Sequence, residues 1–247
     1  MMRLARFLLL LVLLTGTAFA VPSNGPAVPV FGNGPGGGIT LSTPLQIAIF
    51  MTLMTLLPAA IMSITPFLRL VIVLHFLRQA LGTQNTPSNQ IVVGLSLFLS
   101  LLIMQPVVSD IYHKGWEPMS NGQLTMQQAF DEGAKPLKSF LGRFAREKDI
   151  KTFLEISRSA PPKTPADLSL KVLIPAYILS ELKAGFQIGA VLFLPFLIID
   201  LVVASVTLSI GMVQLPPAMI SAPFKILLFV LVDGWSLVIG SLMKTFY

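Results

Sequence analysis

The chain has 247 residues, of which 54% are hydrophobic and only 11% are charged. Its mean hydropathy of +0.80 lies well above ordinary globular usage and predicts an integral membrane protein. The formal net charge of +6 comes from Lys and Arg residues that are spread along the chain, so the sequence argues against nucleic-acid binding. Because cysteine is absent, disulfides, thiolate nucleophiles and cysteine-ligated metals are excluded.

The N-terminus has the three parts of an export signal. Arg3 and Arg6 form a basic start, residues 7–14 form an apolar core, and residues 18–20 are Ala-Phe-Ala, a small-x-small cleavage site. These features predict a signal peptide over residues 1–20. An uncleaved first membrane helix is the alternative, although the apolar run is short for a span.

The next part of the chain changes from polar to strongly apolar. Residues 21–43 are rich in Gly, Pro, Ser and Asn, which predicts a flexible external segment. Residues 44–109 are expected to form hydrophobic helices, and three apolar patterns occur within them, at 45–64, 65–82 and 91–108.

The second of these patterns carries two cations, Arg69 and Arg78. Nine positions separate them, which places them on roughly opposite sides of an apolar helix. We expect both to be interfacial cations, at the cytoplasmic side if the signal is cleaved, because arginine can extend its charge toward water there.

Residues 110–172 are rich in both acidic and basic side chains and predict a small water-facing helical domain, on the external side if the signal is cleaved, with one helix over residues 126–144. A domain of this size makes a poor core alone, so it is expected to need a partner or a second copy. Phe140, Phe144 and Phe153 are the candidates for that extracytoplasmic subunit contact. An internal core is the alternative for the same three rings.

Residues 173–247 predict a C-terminal hydrophobic helical hairpin. Its two apolar stretches, 185–215 and 224–242, are joined at Pro216-Pro217. Ionisable residues stand at the entry to these stretches or inside them, namely Glu181, Lys183, Asp200, Lys225 and Asp233. Charges in such surroundings are costly unless they are paired, so they mark a functional or structural site.

Asp200 must be neutral or must meet a cation, because an isolated carboxylate is unstable in hydrocarbon. Counting from Pro216-Pro217 places Asp200 and Asp233 at the same depth, where they could share a proton or a cation. The same count places Lys225 about 12 Å away in depth, so an Asp200–Lys225 pair needs a broken helix or another subunit. Structural ion pairing is the alternative to a proton-sensitive site. Glu181 and Lys183 are candidate interfacial anchors.

The segment before the double proline is the other unusual place. Proline cannot continue a helix, so Met212, Val213, Gln214 and Leu215 are expected to leave helical geometry. A plain interhelical loop is one interpretation, and a deformable constriction containing soft methionine is the other.

Recognisable catalytic patterns are missing from the sequence. It has two histidines, no zinc-binding helix motif, no phosphate-binding glycine loop and no membrane-protease motif. We therefore expect no enzyme activity, no cofactor and no metal.

Four long motifs point to a known family. They lie at 67–83, 175–183, 193–200 and 223–235, and together they closely resemble the FliP (FliP/SctR) family of flagellar type III export gate proteins. The resemblance covers essentially the whole chain after the signal.

The resemblance implies a homo-oligomeric, pentameric ring of bent helical hairpins that associates with FliQ and FliR. FlhB-like and FlhA-like export components are the further expected partners, and unfolded flagellar proteins are the expected cargo. The expected location is the bacterial inner membrane and flagellar basal body, with a large extracytoplasmic portion. The five charged residues of the C-terminal region become intersubunit contacts in this view, with partners in neighbouring chains. Asp200→Ala is then expected to impair ring assembly.

The family also implies that Met212, Val213, Gln214 and Leu215 form a pore gasket. Only Met212 remains of the longer methionine cluster that the family has at this place, so the seal is expected to be less compliant or to use Gln214. Two other classes stay open: a proton-coupled transporter, suggested by Asp200 and Asp233, and an assembly factor that never contacts cargo.

Overall fold

The computed structural model describes residues 43–83, 86–158, 168–211 and 216–247. The expected signal peptide and nearly all of the expected flexible segment lie outside these ranges. Contacts divide the chain into two units, residues 1–57 and 58–247. In the described part of the first unit the backbone is helical throughout. The packing described below belongs to the second unit.

Within the described ranges the chain is all-helical, without a β-strand. The helices are α1 (Thr43–Ser63), α2 (Phe67–Ala80), α3 (Asn89–Ile111), α4 (Glu117–Ser120), α5 (Met126–Phe144), α6 (Glu147–Ser157), α7 (Leu170–Ser209), α8 (Pro217–Leu231) and α9 (Gly234–Lys244). One turn of π-helix, Tyr112–Trp116, joins α3 to α4. The helix expected over residues 126–144 is confirmed as α5.

Three helical stretches are long and apolar enough to cross a membrane, namely Pro44–Ser63, Asn89–Ser120 and Leu170–Ser209. Helices α8 and α9 reach the same standard only as a pair, and they are bent by 67° at their junction. The described residues therefore offer three membrane-spanning candidates, or four if the bent pair is one span. This arrangement confirms the all-helical, apolar part of the predicted fold class.

The long helix α7 has two different halves. At 40 residues it is about 60 Å long, which is roughly twice the thickness of a bilayer core. Eight of its ten buried residues fall between Val172 and Gly189, whereas the second half buries only Phe196 and Thr207. One face of the first half is therefore buried against protein, and the second half is the part whose largely exposed apolar surface suits lipid or other subunits.

Helix α2 packs along the first half of α7, and the two helices run in the same direction. Gly185 faces Ile72, and Gly189 faces Phe76 one turn further along both helices. A Cβ atom at Gly189 would lie 2.6 Å from the Phe76 ring, so a larger residue cannot fit without displacing that ring. This Gly-x-x-x-Gly spacing permits the close approach of the two backbones.

The charged region of residues 110–172, called the middle region below, contains a strong helix start. Thr125 caps α5, because its hydroxyl accepts from the Gln128 N–H while the Gln128 side chain accepts from the Thr125 N–H. The core beneath α5 and α6 is shared with the beginning of α7, since Leu141 packs with Leu173 and Tyr177. The core that was expected to need a second copy is therefore completed by α7 of the same chain.

The apolar stretch at 224–242, expected to be one segment, is broken in the structure. Asp233 has a left-handed backbone (φ 50°) between α8 and α9. Gly234 follows with the Phe229 ring directly against it, and a Cβ atom there would lie 2.2 Å from that ring. Hydropathy could not reveal this bend, because both sides of the break are equally apolar.

Candidate functional site: ion pairs at both ends of α2

An ion pair holds the first turn of α2 against α7. Arg69 is 6% exposed and Glu181 is completely buried. The Arg69 Nε donates to Glu181 Oε2 at 2.9 Å, and Nη2 donates to Oε1, so the pair is bidentate. A planar guanidinium matches a carboxylate in this two-bond geometry, which suits a buried position.

The chain's C-terminal residues complete the surroundings of Arg69. Its third nitrogen, Nη1, donates to the Thr245 hydroxyl at 3.2 Å. The Phe246 ring lies 4.2 Å from the guanidinium carbon, measured to the ring centroid, in a cation–π contact. The segment after α9 thus encloses the charge from the side opposite α7.

A second polar contact lies next to Glu181 and joins α6 to α7. The Ser180 hydroxyl accepts from the Arg146 backbone N–H at 3.0 Å and lies 2.6 Å from Asp149 Oδ2. Arg146 also pairs with Asp149 at 2.8 Å. Burial alone would raise the pKa of Asp149, but the hydrogen bonds from Ser180 and Arg146, with the charges of Arg146 and Lys183, outweigh it and lower that pKa below its ordinary value.

The last turn of α2 is held by a different pair. Lys225 on α8 is 3% exposed. Its Nζ donates to Asp200 Oδ2 at 2.6 Å and to the Ala80 carbonyl at 3.0 Å. The Ser221 hydroxyl, one turn before Lys225, lies 2.5 Å from the other Asp200 oxygen. One lysine thereby joins α2, α7 and α8.

This geometry corrects the depth assignment made from the sequence. The count from Pro216-Pro217 was wrong because α7 already ends at Ser209 while α8 begins at Pro217. Asp200 lies nine residues before that end (209 minus 200) and Lys225 eight residues after that beginning (225 minus 217). The two side chains are thus at matching depth in the hairpin, and they pair within one chain.

Asp233 is not the neighbour of Asp200 that the sequence suggested. It is exposed at the break between α8 and α9, and no ion pair of the described residues includes it. The structure therefore gives no support to a carboxylate pair that shares a proton. That pair was the main argument for a proton-coupled transporter. Lys183 is also exposed.

For Glu181, Asp200 and Lys225 the structure gives partners within the chain, and a further role of these residues between subunits stays a prediction. Arg69, expected at the membrane interface, is instead buried. Hydropathy placed these charges correctly in apolar surroundings, but it could not distinguish pairing within a chain from pairing between chains.

Arg78 lies half-buried near the end of α2. Its Nη1 donates to the Pro87 carbonyl at 3.3 Å, across the turn that leads into α3. Its Nη2 lies 3.2 Å from the His75 ring. Arg78 thus stabilises a turn, and its position relative to a membrane stays a prediction.

The three phenylalanines of the middle region pack inside the chain. Phe140, Phe144 and Phe153 are partly buried against the cluster that contains Leu141 and Tyr177. Phe140 and Phe144 also contact each other, with ring centroids 5.0 Å apart. This packing agrees with the internal-core alternative, and a subunit contact through the exposed parts of these rings stays a prediction.

The predicted gasket, Met212, Val213, Gln214 and Leu215, lies outside the described residues. Its flanks are described: α7 is followed by Gly211 with φ +81°, and α8 begins at Pro217. The described residues contain no group of three or more His, Asp or Glu side chains that could hold a metal ion.

Sequence reasoning missed several residues of these pairs, chiefly Ser180, Ser221, Asp149 and Thr245. Ser221 could have been found, because it stands four residues before Lys225 and therefore on the same helix face. Asp149 also has a local partner, Arg146 three residues earlier, but its contact with Ser180 and the contact of Thr245 with Arg69 join distant parts of the chain.

The fold and these pairs together define an α-helical protein with span-capable helices and a framework of buried ion pairs. Comparison with known proteins gives the family. The FliP family model matches residues 50–242, so the chain belongs to the FliP family.

Individual relatives agree with that membership. The chain is 46% identical to the flagellar biosynthetic protein FliP of Pectobacterium carotovorum subsp. carotovorum, over 86% of this chain and 83% of the relative. It is 43% identical to the protein of the same name from Bacillus subtilis (strain 168), over 83% of this chain and 93% of the relative. It is also 43% identical to the Caulobacter vibrioides protein of that name, over 86% and 80%.

Proposed function

We propose that the chain is a non-enzymatic core subunit of the flagellar type III export gate. It forms a homo-oligomeric ring with FliQ and FliR, and the ring is a gated channel for unfolded flagellar proteins. The observation that carries this proposal is family membership, joined to a hairpin whose two helices are tied together close to the segment 212–215. That segment is the proposed gasket.

The Lys225 contacts support a gate at this place. They connect α7 to α8 two to three helical turns from the ends that flank residues 210–216. They also connect this hairpin to the end of α2 through the Ala80 carbonyl. A segment that must close and yield benefits from rigid flanks, because its own motion then sets the width of the opening.

The remaining exposed charges support contacts between subunits. Asp233 is exposed beside an otherwise apolar surface, where an unpaired carboxylate is costly in lipid. A donor from another subunit would remove that cost. Lys183 is a second candidate, on the face of α7 that is nearest to Asp149.

We place the assembly in the bacterial inner membrane and the flagellar basal body, with the region 110–172 on the extracytoplasmic side. FlhB-like and FlhA-like components are proposed as further partners. The expected boundary between the middle region and the C-terminal hairpin, at residues 172/173, falls inside α7 and inside a shared core. The two parts should therefore move as one body.

Photo-crosslinking tests whether cargo passes the proposed gasket. A photoreactive residue at Met212 should crosslink to a stalled flagellar export substrate in cells. The same residue at Met126, which is 81% exposed at the start of α5, is the control and should give less crosslinking. Crosslinks to cargo elsewhere in the complex, with none at position 212, would instead favour an assembly factor.

Ion conductance gives a second test of the gate. Glycine substitutions at residues 212–215 should let small ions pass through the reconstituted complex, with a conductance that rises as more side chains are removed. Glycine at Val191, an exposed position on α7, is the control and should leave the complex closed. Saturable exchange of a single solute would contradict the gate and support a transporter.

A further inference from the structure

The middle region contains a cleft that the proposed gate does not use. It has a volume of about 600 Å³ and lies between the end of α3, the π-helical turn and α5. Three cations line it: Lys114 from the turn, with Lys135 and Arg143 from α5. Among the described residues that line it, Asp110 is the single acid.

The charges of the cleft are only partly neutralised. Lys114 pairs with Asp110 at 2.6 Å, and Lys135 pairs with Glu132 at 2.6 Å. Both pairs are well exposed, so they bind weakly and can be exchanged. Among the described residues Arg143 has no Asp or Glu partner; its Nη2 donates to the Tyr247 backbone oxygen at 3.4 Å, and its guanidinium carbon lies 5.5 Å from the centroid of the Phe144 ring. The cleft thus presents an excess of positive charge, with three cations and one aspartate among its described lining residues.

Part of the cleft lining is apolar and continues into the exposed apolar surface of α3. Pro106 and Val107 of α3 and Phe140 of α5 form part of it. Leu101 and Leu102, one turn earlier on α3, are 60% and 55% exposed and belong to a span-capable stretch. A ligand that is anionic at one end and apolar at the other matches both parts.

Two aromatic side chains place the cleft at the level of lipid headgroups. Tyr112 and Trp116 flank Lys114 in the π-helical turn and are 51% and 59% exposed. Exposed Tyr and Trp at the end of an apolar helix are typical of the membrane interface, where a polar ring edge meets water and the ring body meets lipid.

From this combination we infer that the cleft binds an anionic phospholipid. Its phosphate contacts Arg143 and the two lysines, and an acyl chain lies along the exposed face of α3. Basic pockets beside membrane helices recognise anionic headgroups by this chemistry, and a guanidinium suits phosphate because it offers paired donors. The lipid would anchor the middle region to the membrane surface.

Tryptophan fluorescence tests this inference, because the chain has only two tryptophans. A Trp235→Phe variant leaves Trp116, two residues from Lys114, as the sole reporter. The full-length protein is reconstituted in phosphatidylcholine vesicles that contain a minor fraction of phosphatidylglycerol, and either one or the other lipid is brominated. Brominated phosphatidylglycerol should quench Trp116 more strongly than its share of the bilayer predicts.

Charge variants separate the cleft from the overall charge of the protein. In the same background, Arg143→Gln should lower the preference for phosphatidylglycerol about fivefold, as expected for one interfacial cation. Lys114→Gln is a second variant with the same expected direction, and Arg143→Lys should keep most of the preference. Lys151→Gln removes one exposed charge from α6, away from the cleft, and should leave the preference unchanged.

Three results would overturn the inference. Quenching by each brominated lipid in proportion to its share of the bilayer would show that Trp116 has no anionic neighbour in excess. An equal loss in Lys151→Gln and Arg143→Gln would assign the preference to net charge. Competition by soluble glycerol phosphate would show that the cleft takes a free anion and not a lipid.

Discussion

Arg69 and Glu181 hold the first turn of α2 in nearly complete burial, whereas Lys225 and Asp200 hold its last turn with the Asp200 side chain still 28% exposed. The first pair is bidentate and is covered by the Phe246 ring. In the second pair one lysine, Lys225, donates to both the Asp200 carboxylate and the Ala80 carbonyl and so joins the helices that carry them. The more enclosed pair has the geometry of a permanent joint, and the less enclosed pair lies close to the segment proposed to move.

Loss of Arg69 should have the largest effect. Arg69→Ala leaves the completely buried Glu181 without its cation, and breaking such a pair costs about 3–5 kcal/mol in the free energy of unfolding. Denaturation of the detergent-purified protein measures this cost. Arg78→Ala is the matched control, because Arg78 contacts a backbone carbonyl and no carboxylate. An equal loss in the two variants would contradict the assignment, and Arg69→Met with Glu181→Leu should recover most of the stability.

Loss of Lys225 should have a smaller effect. Lys225→Met keeps the length of the side chain but removes hydrogen bonds to Asp200 and Ala80, and a bond to a charged group contributes about 1.5–3 kcal/mol. Partial hydration of Asp200 limits the cost to the lower part of that range. Lys183→Met, an exposed control on α7, should change the unfolding free energy by less than about 0.5 kcal/mol. If Lys225→Met destabilised as much as Arg69→Ala, the contrast between the pairs would be wrong.

Substitution of Gly189, which contacts Phe76 between the two ion pairs, should have a smaller effect still. Gly189→Ala places a methyl group against Phe76, and the resulting strain, reduced by the helical gain of alanine, should cost about 1–2 kcal/mol. Gly94→Ala is the control, since nothing lies within 4 Å of the added Cβ, and it should be neutral or stabilising. Phe76→Leu should restore part of the stability of Gly189→Ala. No such rescue would mean that α2 and α7 are not in contact there.

A fall in pH should lower the free energy of unfolding slightly, through protonation of Asp149 near the Arg69–Glu181 pair. The pKa of Asp149 is lowered in the folded protein, so its contribution to stability is present above the ordinary value of 3.8 and is lost as pH falls through the lower folded value. Between pH 7 and pH 3 the wild type should therefore lose more stability than Asp149→Asn. Equal losses in denaturation curves at the two pH values would show that Asp149 contributes nothing.

The comparison also shows where sequence reasoning succeeds. Residues 126–144 were predicted as a helix because their apolar residues recur at helical spacing. Asp200 and Lys225 were identified as charges that need partners, because an apolar stretch cannot tolerate a lone ion. Both inferences use only neighbours in the chain and the cost of burying charge.

The errors came from longer distances. Asp200 was matched with Asp233 because the turn was counted from Pro216-Pro217, and the sequence does not reveal that α7 ends seven residues before that pair (216 minus 209). The bend at Asp233 was invisible for a similar reason, since a left-handed residue leaves no mark in hydropathy. Small errors in helix ends change which side chains face each other across a hairpin.

The sequence by itself determined that this chain is helical and apolar, that it belongs among FliP proteins, and that its few charges inside apolar stretches must be neutralised. Tertiary structure alone decided which partner neutralises each charge, because Arg69 and Glu181 are separated by 112 positions along the chain and meet only when α2 packs on α7. Apolar burial is set by composition and by local period, but an ion pair depends on direction and distance, and these exist only after the helices have packed.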